Sequence, residues 1–426
     1  MGNVLREVSR RKRKRMGPPR VISREAYRGV DLDTRLELIR ALIPLGLIYA
    51  YEEIDAEVLE LAGRKHARKV AGQENYRHGT NPGSVSLAGQ RLPVTVTRVR
   101  DREGEVPLRS YRRLHAGTEL DEVLFRRVLH GISCRNYEAA AEGIPGAIGL
   151  SSSTVSRRFV EVSAAKLREF QERDLSGHDV VAIFVDGKTF ADDEMVLALG
   201  VTLTGKKVVL GFVQTSTENA RVLRGFLGSL LDRGLEISRG VLVVVDGSKG
   251  LRAAVKKAYA KRALVQRCQW HKRENVVSYL AKSEQPRWRR RLQQAYERPT
   301  YEEAKSQLLV LHDELSEINQ SAARSLEEGL EETLTLHRLG LFALLGRSFK
   351  TTNCIESINS MAEQKCGKVD AWKNSNQKQR WFAAALLDIE PRLRKVMGHR
   401  HLHKLRDAIM EDLGIKSEAG TSEKAA

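Results

Sequence analysis

Two hydrophobic periods alternate along this chain, one of about 3.6 residues and one of 2, and their order sets out the elements. From Leu32 to Leu61 apolar residues recur at helical spacing (Leu36, Ile39, Leu42, Ile43, then Ile54, Val58, Leu61), which predicts two amphipathic helices. The segment Tyr76-Arg77-His78-Gly79-Thr80-Asn81-Pro82-Gly83 is rich in turn residues, and Leu92 to Arg100 alternates as a strand does. A small α+β module over 26–106 is expected. Ahead of it, residues 1–25 carry RRKRKR and Gly17-Pro18-Pro19 with almost nothing apolar, the composition of a disordered basic arm.

Helical periodicity returns over 107–176. A helix from Asp121 to Gly131 is followed by Asn136-Tyr137-Glu138-Ala139-Ala140-Ala141-Glu142, a loop from Gly143 to Leu150, and then Ser151-Ser152-Ser153-Thr154-Val155-Ser156-Arg157-Arg158-Phe159. A small-residue helix, a turn with glycine, and a second helix opening on hydroxyls and arginines is the layout of a helix-turn-helix. On that reading Ser153, Thr154, Arg157 and Arg158 meet DNA, and Arg11, Lys12 and Arg13 of the arm track phosphates. An ordinary helical hairpin with a charged face has the same pattern, and the eight-residue loop from Gly143 to Leu150, longer than a helix-turn-helix usually has, weighs on its side.

The strongest β signal follows, over 177–273. Val180 to Val185 is a continuous apolar run, Val196 to Val201 and Val208 to Val213 are joined by the turn residues Thr204-Gly205-Lys206, and Val241 to Val245 and Leu264 to Cys268 are two further buried strands. Helices are expected between them at Glu218 to Arg233 and Leu251 to Tyr259. Three meandering strands, helix, strand, helix, strand is the order of an RNase H-like domain. Over 274–347 no strand pattern remains, and Leu308, Leu311, Leu315 and Ile318 keep helical spacing, so the core is expected to carry an all-helical insertion. A helix starting near Thr352-Asn353, spanning 348–366, completes it, and 367–426 reads as basic helices and a tail. The fold class is therefore multidomain α/β.

Composition narrows the partners. The chain has 426 residues, 41% hydrophobic, with 72 Lys plus Arg against 54 Asp plus Glu and a formal charge of +18. No apolar run approaches the ~20 residues of a membrane span. The hydrophobic fraction supports packed cores, and the positive balance makes a polyanion such as nucleic acid the expected partner. Four cysteines without a paired CxxC argue against a disulfide framework and point to a reducing, cytoplasmic compartment.

Candidate chemistry lies where two strands end in a carboxylate followed by glycine, Val185-Asp186-Gly187 and Val245-Asp246-Gly247. Ligands of α/β sheets bind beyond the carboxyl ends of the strands. A third acid, Glu356 in Thr351-Thr352-Asn353-Cys354-Ile355-Glu356, falls on the first turn of a helix able to aim it at that edge. Three carboxylates suit Mg²⁺, a hard ion that takes oxygen ligands and substrate phosphate, with Mn²⁺ expected to substitute. Two such ions would serve an in-line phosphoryl displacement.

These motifs, with Asp246-Gly247-Ser248-Lys249-Gly250-Leu251 and Gln266-Arg267-Cys268-Gln269-Trp270-His271-Lys272-Arg273-Glu274-Asn275, resemble the DDE transposases of Mutator-like bacterial insertion sequences, from about Tyr76 to Leu393. The resemblance implies a catalytic and metal-binding triad of Asp186, Asp246 and Glu356, a CxxH motif in Cys268 and His271, and double-stranded DNA, both terminal repeats and target, as substrate. It also implies a homodimer working on the bacterial nucleoid. Two alternatives keep the same residues: an inactive relative acting as a DNA-binding regulator, which has no need of three placed acids, and an RNase H-like nuclease or resolvase without transposition.

Several neighbours have plainer explanations. Cys268 and His271 have zinc-like spacing but no second ligand pair, which favours a structural role. Asp192, Asp193 and Glu194 fall where a hairpin should turn, His399, His401 and His403 lie in a basic tail, and Trp372, Trp381 and Phe382 suit core packing.

Overall fold

A computed structural model describes residues 32–67, 74–87, 90–116, 118–134, 151–190, 192–215, 219–369 and 371–416. The basic arm, the first helix and loop of the expected helix-turn-helix, and the end of the tail lie outside the described residues. The described residues form two compact units that divide between Leu124 and Phe125.

The first unit packs helix α1 (Leu32–Ala62) on an antiparallel sheet of β1 (Tyr76–Leu87), β2 (Gln90–Arg100) and β3 (Glu105–Val106). Two corrections to the sequence reading arise here. The two expected helices are one, continuous through Pro44 and Gly46. Its buried Ala50, Ile54, Val58 and Ala62, four residues apart, form a single stripe over the sheet with Val85, Leu92, Val94 and Val99. Tyr76 to Gly83 is not a turn but the start of β1. Its turn residues are absorbed by a register shift between Arg77 and Thr80, by Gly79 at φ 69°, and by an edge position where Pro82 breaks no interior ladder. The Glu57 carboxylate accepts the backbone N–H groups of Arg109 and Ser110 at 2.7 and 2.8 Å, capping α2 (Arg109–Ala116); α3 (Thr118–Leu129) follows.

The second unit opens with α4 (Ser152–Glu172) and is organised around a five-stranded sheet. Its strands are β4 (Val180–Phe190), β5 (Asp193–Thr202), β6 (Lys207–Thr215), β7 (Val241–Val245) and β8 (Ala263–Arg267), in the order β6-β5-β4-β7-β8. Strands β4, β5 and β6 meander antiparallel, while β7 and β8 run parallel to β4. Helices α5 (Ala220–Asp232) and α6 (Lys249–Tyr259) make the connections. The order of strands and helices is the one the apolar runs predict.

Alternation along the strands fixes the faces. Ile183, Val185, Val243 and Val245 pack with Leu223, Leu227, Leu230, Leu251 and Val255 of α5 and α6. Phe184, Leu242 and Val244 point the other way, into a core shared with Phe349, Ile355, Ile358, Phe382, Leu386, Leu402 and Leu405. The segment expected as a separate basic C-terminal region is thus built into that second core.

Between β8 and that core lie helices only: α7 (Gln269–Ser278), α8 (Gln285–Tyr296), α9 (Tyr301–Ile318), α10 (Gln320–Glu327), the single turns α11 (Leu330–Thr333) and α12 (Thr335–Arg338), and α13 (Phe342–Phe349). Most of them share their own core, with Trp288, Leu292, Leu308, Leu311, Leu315 and Leu326 buried. Ile318, expected on that stripe, is 59% exposed, because it ends the helix beyond the last packed turn. This layer is tied to the sheet by buried cations. Lys272, fully buried, donates from Nζ to the carbonyls of Ser325 and Glu328 at 2.5 Å each, and Arg267 donates to the Glu328 carbonyl at 2.8 Å. Both sit at the C-terminal end of α10, where unpaired carbonyls favour positive charge. Burial, then the neighbouring Arg267, brings Lys272 down to about 7. The chain closes with α14 (Asn353–Cys366), α15 (Ser375–Ile389) and α16 (Leu402–Asp412). No described helix is long and apolar enough to cross a membrane.

Candidate active site

The register of the parallel strands brings the two aspartates together. Val185 pairs with Val245, and Val245 with Arg267, so Asp186, Asp246 and Cys268 are the next residues on three adjacent strands. The Cys268 N–H donates to the Val245 carbonyl at 2.7 Å, extending that alignment one residue past the strand. Asp186 and Asp246 share the parity of Phe184 and Val244, which places both on the face covered by α14. Glu356 lies on the first turn of α14, with its backbone N–H bonded to the Thr352 carbonyl at 3.1 Å. Ile355, Ile358 and Ala362 anchor that helix in the core, leaving Glu356 half-buried beside the strand ends.

Local turns hold Asp246. Its Oδ1 accepts the Ser248 N–H at 2.9 Å, and the Ser248 hydroxyl in turn accepts the Leu251 N–H at the start of α6. Gly247 has φ 109°, and a Cβ there would stand 2.0 Å from the Arg267 Nε. We expect Gly247→Ala to cost ~1–3 kcal/mol through left-handed strain alone, and more because buried Arg267 is held at the insertion. Urea unfolding measures the loss. A Gly247→Ala protein as stable as the parent would show that this turn is not constrained as described.

The electrostatics of the cluster are unusual for carboxylates. Asp186, 6% exposed, is raised to about 7, by burial first and then by Asp246, with Glu356 adding to the effect and His271 opposing it. Burial works to lower His271, but the Cys268 contact and the carboxylates of Asp186 and Asp246 outweigh it and lift the imidazole to about 9. None of the three acids is ion-paired with Lys or Arg among the described residues. Also among the described residues, no three His, Cys, Asp or Glu side chains close around one point as a metal cage. Mg²⁺ commonly takes only one or two protein carboxylates and completes its shell with water and phosphate. An oxygen-only set of acids fits such an ion, because a dication bound there would offset the mutual crowding of carboxylates that helps to raise Asp186.

Cys268 and His271 belong to the same cluster. Cys268 is fully buried and caps α7, its Sγ accepting the His271 N–H at 3.5 Å. Thr352, also fully buried, donates its hydroxyl to Glu356 Oε1 at 2.8 Å and lies 3.4 Å from His271 Nδ1. Thr352 stands at the N-cap of α14, where a threonine ordinarily bonds the helix backbone, yet its side chain makes no cap bond. A helix-start pattern does not reveal which way a hydroxyl turns, so this contact had no signal in the sequence.

The other acids and aromatic residues lie apart in role. Asp193 accepts from Lys378 Nζ at 2.5 Å and from Gln214 at 2.7 Å, and the Lys378 bond holds it below the usual carboxylate range. Asp192 is exposed. Lys188 pairs with Glu363 on α14 at 2.5 Å, and Lys249 lies 3.9 Å from Glu328. Trp381 packs on Phe159 and Trp372 on Phe190, and Phe382 is buried. Of the expected DNA-contacting residues, Ser153, Thr154, Arg157 and Arg158 lie on the first two turns of α4. That helix buries Val155, Phe159, Ser163, Leu167 and Phe170 in the second unit and leaves Arg157 exposed. Arg11, Lys12 and Arg13 lie outside the described residues.

Comparison with known proteins places this geometry in a class. The sequence profile of the transposases of the Mutator family matches residues 32–393. The transposase of insertion sequence element IS406 from Burkholderia multivorans is 26% identical over 82% of this chain and 92% of its own length. The transposase of IS256 in transposon Tn4001 from Staphylococcus aureus is 24% identical over 76% of this chain and 84% of its own. The transposase of IS6120 from Mycolicibacterium smegmatis is 28% identical over 56% and 74%. The chain is a transposase. It belongs to the Mutator family, among the transposases of bacterial insertion sequences.

Proposed function

We propose that this transposase is of the DDE class and has an RNase H-like catalytic core. It binds the terminal inverted repeats of its element, hydrolyses a phosphodiester to release a 3′ hydroxyl, and directs that hydroxyl at a phosphodiester of target DNA. The observation that carries this reading is the alignment of Asp186 and Asp246 on neighbouring parallel strands, on the face where Glu356 projects from α14. Asp186, Asp246 and Glu356 would hold Mg²⁺, with Mn²⁺ as a substitute. Bound there, the ions would supply Lewis acidity to the attacking and leaving oxygens.

The chain's own contribution is placement. The sheet fixes the two aspartates and the buried helix fixes the glutamate, so the scissile phosphate is met by acids already in position. No side-chain nucleophile is required, since a DNA hydroxyl or water attacks. Ser153, Thr154, Arg157 and Arg158 on α4 are assigned to repeat recognition and the basic arm with Arg11, Lys12 and Arg13 to phosphate contact, as parts of a helix-turn-helix region. The working form is a homodimer on nucleoid DNA in the cytoplasm.

The test is cleavage of a duplex carrying the element end joined to flanking DNA. Mg²⁺ and Mn²⁺ are expected to support a nick exposing a 3′ hydroxyl and its joining to a second duplex, while Ca²⁺, with looser geometry, supports binding with little cleavage. Efficient cleavage in excess chelator, or cutting of branched DNA with no joining, would defeat the proposal.

A further inference from the structure

We propose that Thr352 is a positioning residue that commits one oxygen of the Glu356 carboxylate and leaves the other for metal and substrate; this rests on the assignment of Glu356 as a ligand. A threonine preceding a helix ordinarily accepts a hydrogen bond from a backbone N–H of the first turn. Thr352 forgoes that bond. Its hydroxyl proton goes to Glu356 Oε1 at 2.8 Å, a charge-assisted bond between side chains four residues apart.

A hydroxyl has one proton to give and two lone pairs. With the proton committed to Glu356, the oxygen can accept from the His271 ring, 3.4 Å away at Nδ1. Cys268 Sγ, 3.7 Å from the same hydroxyl, is the weaker and more distant of its two acceptors, and it also accepts the His271 backbone N–H. The result is a chain from His271 through Thr352 to Glu356 Oε1, with every heavy atom of Thr352 and Cys268 sealed from solvent. It joins the start of α7, just past β8, to the start of α14. The Gln269 N–H reinforces the same junction by donating to the Lys350 carbonyl at 2.9 Å.

A glutamate side chain has three rotatable bonds, and one fixed oxygen removes most of that freedom before any ligand arrives. Oε2 is then the oxygen held for the metal. Groups that orient a ligating residue typically contribute 10–100-fold in metal affinity or activity. The CxxH pair would thus support the third carboxylate through a residue that the motif does not contain.

Thr352→Val keeps the shape and deletes the hydroxyl, whereas Thr352→Ser keeps the hydroxyl and deletes a methyl. Mn²⁺ binding to the full-length protein without DNA, read by electron paramagnetic resonance, should weaken about 10–100-fold in Thr352→Val and stay within about 3-fold in Thr352→Ser. The Mg²⁺ concentration for half-maximal cleavage should move in parallel, with thermal unfolding of the serine variant near the parent. Should Thr352→Val fail to fold, Thr352→Ala against Thr352→Ser makes the same comparison. Unchanged Mn²⁺ binding in the valine variant overturns the proposal, and so does equal damage in both variants, which would mark a packing role. Glu356→Ala separates the two layers of inference. If it binds Mn²⁺ and cleaves normally, the ligand assignment itself fails; if it is inactive while Thr352→Val is normal, only the role of Thr352 fails.

Discussion

Asp186→Ala, Asp246→Ala and Glu356→Ala should each reduce strand cleavage and joining by at least ~10²–10³-fold, the scale on which one preorganised electrostatic group contributes. Binding to the terminal repeat should stay within a few fold, because the acids line the strand ends and read no base. Folding should survive as well, since removing Asp186 relieves a buried carboxyl crowded by Asp246 and Glu356. The informative control is Asp193→Ala. Asp193 is near Asp186 in sequence but bonded to Lys378 and Gln214, so its loss should lower stability and leave cleavage largely intact. Equal loss of cleavage in Asp186→Ala and Asp193→Ala, with both proteins folded, would mean that the triad is misassigned.

In chelator, the protein should lose stability as pH rises from about 5 to about 9. Asp186 has its folded value raised from 3.8 to about 7, so the folded state holds that proton more tightly than the unfolded chain does. Its contribution is therefore complete below about pH 4, falls as pH rises from there through about 7, and is gone above that. His271 is raised from 6.5 to about 9, so its contribution is complete below about pH 6.5 and is lost as pH climbs through 9. The two effects have the same sign. At about 1.4 kcal/mol for each tenfold change in proton affinity, the Asp186 part between pH 5 and pH 7 is on the order of 3 kcal/mol. Urea unfolding at pH 5, 7 and 9 measures it. Asp186→Asn should flatten the profile between pH 5 and 7, and added Mg²⁺ should restore stability on the alkaline side. A parent profile that is level or rises over this range would contradict the electrostatics of the cluster.

The two corrections in the first unit share a cause. Pro44 and the Gly, Asn and Pro residues after Tyr76 are local signals for breaks, and burial against a neighbouring element overrides them. The stripe from Ala50 to Ala62 packs the part of α1 beyond Pro44 on β1 and β2, while pairing to β2 draws Tyr76 to Leu87 into a strand. Neither partner is visible within a short window of sequence. In the second unit the windows sufficed, because strands buried on both faces must be apolar at every position, as Val180 to Val185 and Val241 to Val245 are.

Hydrophobic period alone marked the order of strands in the second unit, the helical layer between β8 and α14, and two acids, Asp246 and Glu356, where an element stops or starts; β4, expected to end at Asp186, instead runs on to Phe190 because it keeps pairing with β5. Burial imposes a period on residue types, and an acid followed by glycine marked a strand end at Asp246 but not at Asp186. Which acids are neighbours emerged only on folding. Strand register set Asp186 beside Asp246, Lys378 drew Asp193 away, Arg267 and Lys272 fixed the helical layer at Glu328, and the Thr352 hydroxyl turned from the backbone of α14 to the Glu356 side chain on that helix. Each of these is a contact between residues far apart in the chain, or a choice among rotamers that have the same sequence pattern. Such contacts are set by packing in three dimensions, and a one-dimensional period cannot encode them.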